Sequence, residues 1–221
     1  MEENKLSISV EQLRQLLTRA RSSKASFKIP LAEKNVAIML RIAWEVEVSA
    51  RGGCYRASEA ENEVIREISA WASGATNKTG LLLCGNCGNG KTTAVYALQN
   101  LLNRLDLPIP RSNDYWGLRI GEARQIAFSY LRDEKLYNGY LTCPLLAIDD
   151  LGQEPAEIMH YGSIVTPIVD LLVARYRDNL GTIITTNLLP SDIRSKYGGR
   201  VADRMNEQYY KVIFSNDSYR G

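Results

Sequence analysis

One histidine, four cysteines and a net charge of only +2 are the scarce items in this chain of 221 residues. So small a net charge excludes a polycation that gathers nucleic acid through its overall field, and leaves only a local basic patch for that purpose. No apolar run reaches the ~18 residues of a membrane span. The opening Met1-Glu-Glu-Asn-Lys5 lacks the basic-then-apolar layout of a secretory signal. A cytoplasmic protein with no membrane partner is therefore expected. Four cysteines without a secretion signal do not make a disulfide scaffold. Cys84 and Cys87 form a Cys-x-x-Cys pair, but a four-ligand zinc site would need Cys54, Cys143 or His160 to converge on it. A single histidine also undercuts a Ser-His or Cys-His nucleophile, so His160 is expected on a surface loop.

What remains is the composition of an ordinary globular protein, 45% hydrophobic and 24% charged. A chain of this size buries roughly 70% of its unfolded surface and needs no covalent staple. The first 55 residues read as a helical region that could bind a partner, with residues 56–221 as the main domain. Ser9 and Gln12 fit a capping box, followed by Val10, Leu13, Leu16, Leu17 and Ala20 at helical spacing. Arg19, Arg21, Lys24 and Lys28 make a serine-rich cationic stretch that reads as a solvated linker. A second helix is expected over Leu31–Ala50 with Val36, Met39, Leu40, Ala43 and Val46 on one face, ended by Gly52-Gly53. A third starts at Ser58, with Glu61 completing the cap, and turns Val64, Ile65, Ile68 and Trp71 inward.

From Gly80 onward short apolar runs alternate with helical stretches. Leu81–Cys84, Leu145–Ile148 and Thr182–Thr185 read as buried strands, Ile164–Arg177 as a helix, and Val212–Phe214 as a further strand. Strands apolar on both faces and alternating with helices indicate an α/β fold with a parallel sheet covered on both sides.

Gly85-Asn-Cys-Gly-Asn-Gly90-Lys91-Thr92 matches G-x-x-x-x-G-K-[ST], between an apolar strand and a helix. Glycines let successive N–H groups curl around an anion at a helix amino terminus. Lys91 adds a point charge for the β- and γ-phosphates, and the Thr92 hydroxyl suits Mg²⁺. Gly85, Asn86, Cys87, Gly88, Asn89, Gly90, Lys91, Thr92 and Thr93 are thus the expected contacts to ATP, which accounts for Cys84 and Cys87 without redox chemistry. The strand Leu145–Ile148 ends in Asp149-Asp150, where Asp149 is placed to hold Mg²⁺ and Asp150 to orient or deprotonate a water. Asn187, after the third strand, opens on the same crevice and could bond the γ-phosphate or its attacking water. Asp192, behind Pro190-Ser191, reads as a helix-start residue.

Gly85–Thr92, Leu145–Gly152, Ile184-Thr-Thr-Asn187, Tyr197-Gly-Gly-Arg200-Val-Ala-Asp-Arg204 and the ending Val212–Arg220 together resemble the AAA+ ATPases over roughly residues 60–221. Within them they are most similar to the DnaC/DnaI helicase loaders and the related IstB transposition ATPases. The resemblance implies a P-loop three-layer sandwich without a helical lid, for which the 21 residues after Arg200 leave no room. It makes Asn187 the sensor 1 residue and Arg200 an arginine finger acting in trans, a device worth about 10³ to 10⁵ in rate. Arg204 would help build the same interface, and Arg220 is a candidate second sensor. Gly199 stands where loaders often carry Glu, and Asp150 where most AAA+ proteins use Glu, which implies slow or partner-stimulated hydrolysis. The implied function is an ATPase of replication initiation that binds a replicative helicase and single-stranded DNA and assembles with nucleotide into a homo-oligomer. The alternatives are an accessory ATPase for transposition, or a nucleotide-switched DNA-binding protein with little hydrolysis. Phe128 and Tyr130, interleaved with Arg124 and Arg132, could stack bases, but their helical spacing favours a place in the core.

Overall fold

The computed structural model describes residues 9–21 and 26–215. In chain order the elements are α1 (Val10–Arg21), α2 (Glu33–Ala50), α3 (Glu59–Ala72), β1 (Gly80–Gly85), α4 (Lys91–Leu105), β2 (Arg119–Glu122), α5 (Ala123–Arg132), α6 (Glu134–Thr142), β3 (Leu145–Leu151), β4 (Ile158–His160), β5 (Ser163–Val165), α7 (Pro167–Arg177), β6 (Gly181–Thr186), α8 (Pro190–Tyr197), α9 (Gly199–Gln208) and β7 (Tyr209–Phe214). Five strands form one parallel sheet in the order β2-β3-β6-β1-β7. Strand β6 is thereby inserted between β1, which leads into the glycine loop, and β3, which carries the aspartate pair.

Alternation along the strands divides the core in two. Leu81, Leu83, Leu145, Ala147, Ile183, Val212 and Phe214 face α2, α3 and α4. Leu82, Cys84, Leu146, Ile148 and Ile184 face the opposite layer, where Ile126, Leu171, Leu172, Val201 and Met205 come from α5, α7 and α9. Both faces of the sheet are covered, as continuous apolar strands require, and the molecule is a three-layer α/β sandwich. Among the described residues no helix follows β7.

Helix starts follow local chemistry. Ser9 and Gln12 bond reciprocally, Gln12 N–H to Ser9 Oγ at 3.1 Å and Ser9 N–H to Gln12 Oε1 at 3.0 Å. At α3 the Glu61 N–H donates to Ser58 Oγ at 3.1 Å, and Val64, Ile65, Ile68 and Trp71 are buried as expected. The Asp192 carboxylate accepts from the Leu189 N–H at 3.0 Å, a helix-start bond at α8.

Three readings need correction. The face of α2 that meets the core runs along Val36, Leu40, Trp44 and Glu47, at steps of four, four and three, and turns Val46 outward to 58% exposure. The expected boundary at residue 55 is not a packing boundary. Phe27 lies 5.4 Å from Trp71 and 5.3 Å from Trp116, and Trp44 stacks on Phe214 of β7 at 6.3 Å, so residues 27–50 share the core of the sheet. Ile164 is not helical. Ser163–Val165 pairs antiparallel with Ile158–His160, and α7 begins only at Pro167, whose fixed φ suits a first helical position.

Candidate functional site

The glycine loop leaves β1 at its carboxyl end and enters α4 at Lys91. Gly88 and Gly90 have φ of 81° and 98°, which side chains rarely adopt. At Gly85 a Cβ would sit 2.6 Å from the Phe214 carbonyl oxygen and 2.4 Å from the Asn89 amide nitrogen, so only glycine fits. Asn89 is almost wholly buried. Its Nδ2 donates to Phe214 O at 3.0 Å, tying the loop to β7, and its Oδ1 accepts from Lys91. The Lys91 ammonium donates to Gly85 O at 2.8 Å, Asn86 O at 2.7 Å and Asn89 Oδ1 at 3.1 Å. Its burial lowers its pKa against the opposing pull of Asp150. A loop of this shape at a helix amino terminus is suited to a phosphate chain, whose oxygens could replace the present oxygen partners of the lysine. Asn86 and Cys87 are exposed on its rim, and Thr93 is half-buried behind it.

Across the crevice, β3 carries a bulge. Ile148 pairs with Ile184 and Leu151 with Thr186, so Asp149 and Asp150 together oppose Thr185. The bulge sends the two carboxylates different ways. Asp149 is buried at 6% exposure, whereas Asp150 is exposed with a left-handed φ of 55°. Thr92 Oγ1 is 3.1 Å from both Asp149 oxygens. Thr185 Oγ1 donates to Asp149 Oδ1 at 2.6 Å and accepts from the Asp150 N–H at 2.8 Å. Hydroxyl and carboxylate oxygens at this junction fit a hard divalent cation. Among the described residues no group of three His, Cys, Asp or Glu side chains could hold a metal ion by itself.

Asn187 follows β6 directly and is exposed at the same carboxyl edge. Arg200 is the second residue of α9 and is also exposed. Arg204 instead lies over the Tyr176 ring at 4.7 Å, packing α9 on α7. Arg220 and Lys24 lie outside the described residues. The cysteines are free. Cys84 is buried, and burial pushes its thiol up. His160 is half-buried at the end of β4, not on a surface loop as expected, meeting the Tyr130 ring edge-on at 5.6 Å and the Tyr161 ring tilted at 4.4 Å. Phe128 and Tyr130 are half-buried, with Arg124 and Arg132 both over the Phe128 ring.

Sequence reasoning missed two residues. Thr185 looked like strand, and only the bulge shows that its hydroxyl serves both aspartates. Glu154 carried no sequence signal, yet its carboxylate is buried, accepting from Gly152 N–H at 2.9 Å and from the Tyr197 hydroxyl. Burial and this carboxylate push the Tyr197 phenol far above its ordinary range.

No protein-family model matches the chain, and no curated protein does either. Solved structures do. The DnaC helicase loader is 20% identical, with a TM-score of 0.56 over 79% of this chain and 99% of that one. DnaI is 19% identical, with a TM-score of 0.55 over 80% and 92%. AMPPCP-bound DnaA from Aquifex aeolicus is 15% identical, with a TM-score of 0.53 over 74% of this chain and 49% of that one. The strand order, the loop after β1 and these likenesses agree on one architecture: the chain has the three-layer α/β fold seen in the DnaC helicase loader and in DnaI.

Proposed function

We propose that the chain is an ATPase of replication initiation that binds ATP with Mg²⁺, assembles with nucleotide into a homo-oligomer, and hands a replicative helicase onto single-stranded DNA in the cytoplasm. The observation that carries this reading is the meeting of Thr92 and Asp149 at 3.1 Å beside the glycine loop, at the carboxyl edge of the sheet.

In that reading, Gly85–Thr93 supplies N–H groups and the Lys91 charge to the phosphates. Thr92 and Asp149 hold the cation, which supplies charge neutralisation on the β- and γ-phosphates. Asp150, turned outward by the bulge, takes a proton from the attacking water. Asn187 orients that water from the end of β6. Arg200, exposed at the head of α9, reaches nucleotide held by a neighbouring copy. The reading is supported by the likeness to the DnaC helicase loader and to DnaI, and to the replication initiator DnaA, solved with AMPPCP and single-stranded DNA.

The test combines turnover, assembly and capture. Wild type is expected to hydrolyse ATP, to grow in mass by light scattering with a non-hydrolysable analogue, and to retain a replicative helicase on a column with ATP. Lys91→Met should weaken nucleotide binding at least tenfold, about 1.4 kcal/mol, and abolish assembly. Absence of nucleotide binding overturns the reading entirely. Nucleotide-driven assembly on duplex DNA without helicase capture would favour the transposition role instead.

A further inference from the structure

Glu154 has no part in the chemistry just described, yet among the described residues its carboxylate is the most buried acid, at 3% exposure. Its two oxygens face in two directions. Oε2 accepts from the Gly152 N–H at 2.9 Å, in the turn that follows Asp149-Asp150. Oε1 accepts from the Tyr197 hydroxyl and lies 3.6 Å from the Lys196 ammonium, both in the last turn of α8. Lys196 closes the clasp from the other side, donating to the carbonyls of Gly152 at 2.5 Å and Glu154 at 2.6 Å. The turn has little room to move. Gly152 has a φ of 115°, and a Cβ there would sit 2.9 Å from the Leu188 side chain.

What lies beyond Tyr197 gives the clasp its meaning. Gly198, with φ of 85°, ends α8 and starts α9 as their shared cap. The Gly198 N–H bonds Arg194 O at 3.0 Å, and the Ala202 N–H bonds Gly198 O at 3.2 Å. An Arg194–Asp203 ion pair spans the corner. Arg200 projects from the first turn of α9, three residues past the phenol that Glu154 holds. The segment carrying Asp149 and Asp150 and the corner carrying Arg200 are therefore fastened through the buried Glu154 carboxylate, with Lys196 beside it.

We propose that Glu154 is a positioning residue for Arg200: it holds the α8–α9 corner to the turn after the aspartate pair, so that the acids of one subunit's own site and the cation it lends to a neighbour are set as one rigid piece. The proposal rests on Arg200 acting in trans, as in the function proposed above. It assigns Glu154 no contact with nucleotide. Loosening the clasp misplaces the guanidinium without touching the phosphate cradle, and a misplacement of about 1 Å can cost on the order of 10²-fold in rate.

The test uses full-length subunits mixed in defined ratios. Glu154→Gln is isosteric, and Tyr197→Phe removes a single hydroxyl. Each is expected to bind an ATP analogue as wild type does while turning over on the order of 10- to 10²-fold more slowly as a homo-oligomer. Each is then mixed with a donor carrying Asp149→Asn and Asp150→Asn, which keeps its own Arg200 but has no competent site. Recovery of turnover per competent site, matching the recovery seen when Arg200→Ala is mixed with the same donor, supports the proposal. A subunit whose own site is damaged gains nothing from a donor, so failure of both Glu154→Gln and Tyr197→Phe to recover while Arg200→Ala does would overturn it. Weakened nucleotide affinity in both variants would overturn it too. Failure of Arg200→Ala itself to recover would instead remove the trans reading of Arg200, and the assignment of Glu154 with it.

Discussion

Thr185 Oγ1 donates to Asp149 Oδ1 at 2.6 Å and, through the same oxygen, accepts the Asp150 N–H at 2.8 Å. One hydroxyl thus fixes the carboxylate suited to a cation and the backbone of the residue that follows. Replacing it with Val keeps the shape, strands the Asp150 N–H and frees the Asp149 carboxylate to rotate. An unpaired buried group costs about 1–3 kcal/mol. Thr185→Val is expected to lower stability by that order, to slow Mg²⁺-dependent turnover and to raise the Mg²⁺ concentration needed for half-maximal rate. Thr185→Ser, which keeps the hydroxyl, should recover most of the loss.

Asp150 carries a second, separable expectation. Its φ of 55° lies where Asn is tolerated and β-branched residues are not. Asp150→Asn should therefore leave the thermal midpoint unchanged and lower turnover about 10²-fold by removing a base. Asp150→Val should lower stability as well, by about 1–2 kcal/mol. Equal stability of the two variants in urea unfolding would show that the bulge does not impose this conformation.

The packing of α2 is testable without nucleotide. Trp44 is 2% exposed and stacks on Phe214, so Trp44→Ala should cost about 3–5 kcal/mol in denaturant unfolding. Removing residues 1–55 should likewise unfold the sheet. An intact, cooperative transition in that truncation would mean that α2 is an appendage after all.

Burial raises the phenols of Tyr55, Tyr137 and Tyr197, and pushes Tyr209 up to about 12. Each folded phenol holds its proton more tightly than the unfolded one, whose pKa is about 10. Their contribution is therefore complete below about pH 10 and is lost as pH climbs towards 12. Phenolate absorbance of the buried Tyr137, Tyr197 and Tyr209 should rise together with the loss of fold, not ahead of it. Full ionisation at a pH where the circular dichroism is still native would contradict their burial.

Much of this was legible in the chain, and the physical reasons differ by region. Leu81–Cys84, the glycine loop and the helix from Lys91 stand out because a buried parallel strand and a phosphate cradle each tolerate few residue types. Strand β2 escaped because Arg119-Ile-Gly-Glu122 is four residues with charged ends, kept in the sheet only by pairing with β3. The orientation of α2 escaped because Trp44, two residues from Val46, could be placed inward only by knowing that Phe214 awaits it. Thr185 and Glu154 escaped for a related reason. Their importance lies in partners 36 and 43 residues away, respectively, and local pattern carries no record of such distances.

The bond from Asn89 to the Phe214 carbonyl joins residues 125 positions apart in the chain. During synthesis the glycine loop emerges long before β7 exists, so the bond from Asn89 Nδ2 to Phe214 forms only when that strand docks, whereas Asn89 Oδ1 accepts from nearby Lys91. The cradle is thus finished last, although its sequence is made early. A chain cut before β7 is therefore expected to bind an ATP analogue more weakly than the full chain, and equal affinity of the two would show that the Asn89–Phe214 bond does not shape the loop.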